Sequence, residues 1–126
     1  HRNINMLEEK LQNLVKEYPK YSQIFEAIFT WFENNPNQRA ITMDYFYTNK
    51  YGFSMRDINI SFMILKEKEV LRTIYRILDD HGSKIGRDFT SIEEIPRILS
   101  TMHGDKVEID YSMIVPYYAL QNSTVI

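Results

Sequence analysis

The hydrophobic period of this chain changes once, at Val70, and that switch limits it to folds in which a helical part precedes a strand part. Before Val70, apolar residues recur at steps of three and four. After it, β-branched and aromatic residues gather in short runs bounded by turn residues. The length of 126 residues, with 44% hydrophobic and 25% charged, suits one domain with one core. The absence of cysteine excludes a disulfide scaffold, a Cys-ligated zinc or iron–sulfur centre and a thiol nucleophile.

In the helical part, Ile4, Leu7, Leu11, Leu14 and Tyr18 form a heptad-like stripe that Pro19 ends. Such a stripe either packs onto its own domain or offers Ile4, Leu7, Leu11 and Leu14 to a second copy or another partner. Ser22 is placed to cap a second helix to about Glu33, with Ile24, Phe25, Ile28, Phe29 and Phe32 on its apolar face. A third helix is expected from Ile41 to Tyr51, stopped by Gly52. Ser54-Met55-Arg56-Asp57 fits a capping box opening a fourth helix to about Glu69. There Met55, Ile58, Phe62 and Leu65 share the core-facing spacing, and Arg56, Asn59 and Lys66 fall on another face interrupted by Met63. Tyr45, Phe46, Tyr47, Tyr51 and Phe53 are read as core aromatics rather than base-stacking platforms.

In the strand part, Leu71 to Leu78 reads as a strand, Asp79 to Ser83 as a turn and Ile85 to Phe89 as the returning strand. Thr90 and Ser91 each precede a Glu by three residues, which predicts a short helix or turn. Val107 to Val115 alternate apolar and polar residues as a half-buried strand that Pro116 curtails. Of Tyr117 and Tyr118, one should close the core and the other mark an interface.

Short helices followed by a β-hairpin make residues 22 to about 89 resemble a winged helix-turn-helix domain. Ser54 to Lys68 resembles the second helix of the helix-turn-helix unit, Tyr45 to Gly52 the helix and turn before it, and Tyr75 to Ile85 the wing. The resemblance implies an α+β fold: a winged-helix-like three-helix core with a β-hairpin, an N-terminal helix outside it and a C-terminal helix/strand extension. The expected division is an N-terminal helix (1–20), the domain with its extension (21–120) and a tail (121–126). It also implies a site. Arg56 and Asn59 would face base edges, Lys66, Lys68, Arg72 and Arg76 would contact phosphates, and Lys84 and Arg87 would reach from the wing.

Charge constrains this reading. The net charge of −2 supplies no global field for a polyanion, so any such ligand must be held locally. Residues 54–78 carry five basic and three acidic side chains, a local +2, whereas residues 79–111 carry four and eight, a local −4.

Signals for catalysis are sparse. His1, His81 and His103 sit at a terminus or in expected turns, and Asp79-Asp80-His81 does not reproduce a metal-ligand spacing. Asp105, Glu108 and Asp110 suggest nuclease carboxylates, but strand alternation accounts for the latter two without chemistry. The glycines are isolated, and no phosphate loop, dinucleotide fingerprint or nucleophile elbow occurs. The expectation is a non-enzyme without cofactor or metal. No apolar run spans a bilayer, and the lack of cysteine points to the cytoplasm. A start at His1 rather than Met suggests one module of a larger intracellular protein. Duplex DNA is the expected partner; the alternative is a protein-interaction or dimerisation module that binds no nucleic acid.

Overall fold

A computed structural model describes residues 2–47 and 50–122, with side chains from Leu7 onward. The chain is α+β. Helices α1 (Arg2–Glu17), α2 (Ser22–Asn34) and α3 (Met55–Glu67) pack on one face of an antiparallel sheet of β1 (Ala40–Ile41), β2 (Leu71–Ile77) and β5 (Ile114–Leu120), in the order β1-β5-β2. A second antiparallel pair, β3 (Ile98–Ser100) and β4 (Lys106–Glu108), lies in the long connection between β2 and β5.

The core follows the helical stripes. Ile24, Phe25, Ile28 and Phe29 of α2 meet Ile58, Phe62 and Leu65 of α3, and Phe46 is fully buried between them. Phe62 touches Phe46 and Tyr118 at ring separations of 5.9 and 4.9 Å, which ties α3 to the sheet. Phe46, Tyr47, Tyr51 and Phe53 join this core, while Tyr45 is 42% exposed at its edge. The N-terminal helix is part of the core rather than outside it: Leu14 is buried, and Leu7, Leu11 and Tyr18 pack against the same cluster.

Helix ends show which local signals operated. Ser54 Oγ accepts the Asp57 backbone N–H at 3.1 Å, the expected cap of α3. Ser22 does not cap α2; it is the first helical residue, after Tyr21. At the end of α3, the N–H of Val70 donates to the Leu65 carbonyl and that of Glu69 to the Lys66 carbonyl. This is a Schellman closure, with buried Val70 set against buried Leu65 and Glu69 held at φ 59°. The expected third helix is replaced by β1 and a 3-10 turn over Met43–Tyr47; residues 48 and 49 of that expectation lie outside the described residues.

The strand pairing departs from expectation. Ile85 to Phe89 returns beside β2 but meets it only at separated points, Tyr75 with Phe89 and Leu78 with Lys84. The continuous partner of β2 is β5, in register from Leu71 opposite Leu120 to Ile77 opposite Ile114. The anticipated strand from Val107 to Val115 is broken into β4, a 3-10 turn over Tyr111–Met113 and the start of β5. Asp110 causes the break: its carboxylate accepts the Ser112 backbone N–H and hydroxyl, turning the chain. Pro116 does not curtail β5. It sits opposite Tyr75, whose N–H and carbonyl bond Phe89 on the other edge of β2, so the missing proline donor leaves no ladder bond unmade.

Candidate nucleic-acid interface

Helix α3 is held by one face and bare on the other. Ile58, Ser61, Phe62 and Leu65 are at most 1% exposed, while Arg56, Asn59, Met63 and Lys66 are exposed at steps of three, four and three. Met55 is 60% exposed and Met63 64%. The anticipated polar face therefore exists, interrupted by Met63 as the spacing predicts. It runs about 15 Å along the helix. Among the described residues neither Arg56 nor Lys66 makes an ion pair.

The support for this face comes from the preceding turn. Tyr47 Oη donates to Asn59 Oδ1 at 2.9 Å and also lies 3.9 Å from Met43 Sδ. With Oδ1 accepting from Tyr47, exposed Asn59 keeps the two Nδ2 hydrogens as its donors. The Tyr47 contact was not legible beforehand, because the expected regular helix over Ile41 to Tyr51 gives no reason for that hydroxyl to reach α3.

The structure divides the eight basic and polar residues of the anticipated site. Arg56, Asn59 and Lys66 share the outer face of α3. Lys68, at the end of the helix, turns to α1 instead: its Nζ donates to Glu17 at 3.2 Å and sits 6.0 Å from the Tyr18 ring. That bond to Glu17, with the carboxylate's charge, raises the Lys68 pKa.

Arg72 and Arg76 are on the far side of the sheet. Residues alternate sides along β2: Leu71 joins the helix-facing core, whereas Ile74 packs with Ala40 and Ala119 on the opposite face. Arg72 and Arg76 share parity with Ile74 and so point away from α3. Tyr118 and Tyr117 divide in the same way. Tyr118 reaches Phe62, and Tyr117 lies under the Arg76 guanidinium at 4.3 Å.

Asp88 collects the remaining charge. Arg76 donates through Nε at 2.9 Å and Nη2 at 3.0 Å to its two oxygens, and Lys84 Nζ lies 3.3 Å away. The Asp88 side chain is 2% exposed. Burial alone raises its pKa, but the hydrogen bonds and charges of Arg76 and Lys84 outweigh burial and hold it below the ordinary 3.8. Arg87 donates to the Asp88 carbonyl at 3.1 Å and stacks over Phe89 at 4.3 Å. Arg76 thus braces the return segment against β2, while Lys84 and Arg87 make their contacts within that segment.

In the N-terminal stripe, Leu14 is 4% exposed and Leu7 and Leu11 lie against Phe29, Phe32 and Leu120. The side chain of Ile4 lies outside the described residues. His81 and His103 are exposed, and His1 lies outside the described residues. Asp105, Glu108 and Asp110 do not converge: the Asp105 backbone carbonyl accepts the Thr101 N–H in a turn, Glu108 stands opposite Ile98, and the Asp110 carboxylate caps its own turn. Among the described residues no three or more His, Asp or Glu side chains are grouped to hold a metal, and no helix is long and apolar enough to cross a membrane. No family model matches the chain, and no curated protein and no solved structure is significantly similar to it.

Proposed function

We propose that this chain is a winged-helix-like module that reads duplex DNA with α3. The observation that carries the reading is the exposed Arg56–Asn59–Met63–Lys66 stripe on a helix whose other face is fixed in the core. A helix presenting Arg and Asn outward from a rigid seat is the arrangement by which major-groove edges are read. The order of helix, short strand, turn, helix and antiparallel strands supports the same reading. Lys66, at the far end of the stripe, would take a phosphate, and Met63 between the polar groups would meet a thymine methyl.

Among the described residues two cations, Arg56 and Lys66, lie on this face, so the electrostatic contribution is small. With Arg56 on a base edge and Lys66 on a phosphate, one phosphate contact gives a salt slope near −0.9, and raising salt from about 50 to 200 mM should weaken binding about three- to fourfold. Fluorescence anisotropy with mixed-sequence duplex DNA and single-stranded RNA at those salts tests the reading. The Arg56→Glu, Lys66→Glu double variant should bind duplex more than about tenfold more weakly, and Arg76→Glu should affect folding more than DNA affinity. Unchanged duplex affinity in the double variant overturns the proposal.

A further inference from the structure

The face of the sheet turned away from the helices carries a cleft of about 600 Å³, a volume in the range of small-ligand sites. Ala40 of β1 and Tyr117 of β5 supply its apolar part. Its other lining side chains are hydrogen-bonding: exposed Asn37, Gln38 and Arg39 from the approach to β1, Arg76 from β2 and Asp88 from the return segment. Arg76 is the fixed point among them. Asp88 accepts from its Nε and Nη2 at 2.9 and 3.0 Å, and the Tyr117 ring lies 4.3 Å from the guanidinium carbon. A guanidinium held along one edge and stacked on one face gives up little rotamer freedom when a ligand arrives. It remains reachable, with its side chain 24% exposed, and Asp88 takes only two of its five N–H donors.

The charges of this cleft do not cancel. Among the described residues Asp88 is the one carboxylate in the lining; its side chain is 2% exposed, and Lys84 Nζ stands 3.3 Å from the same Oδ1 that Arg76 Nε reaches. Arg39, Arg76 and Lys84 set against Asp88 leave a local charge of +2. Two guanidiniums and two carboxamides make the lining rich in donors, whereas both oxygens of Asp88 already accept from Arg76. A positive, donor-rich cleft favours an anion with several acceptor oxygens.

We infer that this cleft binds a small phosphate monoester. At pH 7 such a group carries a charge of about −1.5 to −2 and offers three acceptor oxygens, which matches the local charge and the donors of the lining. Arg39 and Arg76 take the phosphate oxygens, and the organic part rests against Ala40 and Tyr117. A carboxylate or a phosphodiester brings a single negative charge and matches the cleft less well. Arg76 points away from α3, so this inference stands or falls independently of DNA binding.

The test titrates the isotope-labelled full chain, at one ionic strength, with phenyl phosphate, with benzoate and with a short single-stranded oligonucleotide lacking terminal phosphates. Phenyl phosphate should shift the backbone amides of Gln38, Arg39, Ala40 and Tyr117 and bind more tightly than benzoate by about tenfold or more. Arg39→Gln, at an exposed position and thus compatible with folding, should weaken it by about tenfold, the effect of losing a charge-assisted hydrogen bond, and Arg39→Lys should restore most of the affinity. Lys66→Glu, on α3, should leave it unchanged. No shift of those amides, equal binding of benzoate, or unchanged affinity in Arg39→Gln overturns the inference. Equal binding of the oligonucleotide through the same amides also overturns it, because the cleft would then hold a backbone phosphodiester.

Discussion

Tyr47 reaches twelve residues along the chain to hold Asn59, its hydroxyl donating to Oδ1 at 2.9 Å. Adenine recognition by asparagine uses that oxygen as acceptor and Nδ2 as donor together. In this arrangement the oxygen already accepts from Tyr47, and the two Nδ2 hydrogens are the donors left for acceptors such as purine N7, guanine O6 or thymine O4. Under the DNA reading, Tyr47→Phe should shift preference toward adenine at one position by about tenfold while total affinity changes little. A binding selection on both proteins checks this, and identical base preferences would exclude the role.

The bracing of Asp88 makes stability depend on pH in a stated direction. Its carboxyl titrates below the ordinary value in the folded chain, so the stabilisation is present above about pH 4 and is lost as pH falls through the lowered value. Asp88→Asn should destabilise the protein by about 2 kcal/mol at pH 7, less than for a fully buried pair because Arg76 and Lys84 are partly exposed. Thermal melts of both proteins from pH 7 to pH 2 should show the gap closing at the acid end. A gap independent of pH would assign the loss to packing instead.

Glu69 occupies the left-handed position of the α3 closure, at φ 59°. An L side chain there is disfavoured by about 1–2 kcal/mol, and glycine removes that penalty while adding about 0.5–1 kcal/mol of unfolded-state entropy. Glu69→Gly should therefore stabilise by about 0.5–1 kcal/mol in urea unfolding.

Thr73 lies opposite Tyr118 on the helix-facing side of β2, and its buried Oγ1 has no hydrogen-bond partner. Replacing the hydroxyl by a methyl of similar size removes that unmet group. Thr73→Val should raise stability by about 1 kcal/mol or more. A drop in melting temperature would mean that the hydroxyl is satisfied in solution.

The stripe on α1 lies against the domain itself, with Leu7 and Leu11 beside Phe29 and Phe32. Leu7→Asp, Leu11→Asp should lower the melting temperature by an amount independent of protein concentration, because the lost contacts are internal. A loss that appears only at concentrations where light scattering shows a dimer would assign the stripe to an interface.

Much of the α3 site was legible beforehand for a local reason. Ser54 and the period of Ile58, Phe62 and Leu65 are short-range features, and together they set which way Arg56, Asn59 and Lys66 point. The fate of the other basic residues was not legible. Whether Arg72 and Arg76 share a side with α3 depends on strand parity, and Asp88 reaches Arg76 only because residues 84–89 return beside β2.

The amino-acid sequence by itself determined the helices, their buried stripes and the switch to strands at Val70, because periodicity and caps act within a turn or two of chain. Only the tertiary structure decided that β2 pairs with β5 rather than continuously with the nearer Ile85 to Phe89, and that a short strand over Ala40–Ile41 and a 3-10 turn over Met43–Tyr47 stand where a helix from Ile41 to Tyr51 is expected. Both outcomes rest on long-range packing. Tyr118 and Leu120 of β5 complete the core around Phe62, and the pairing of Ile41 with Tyr118 fixes β1 in the sheet. No local propensity carries that information.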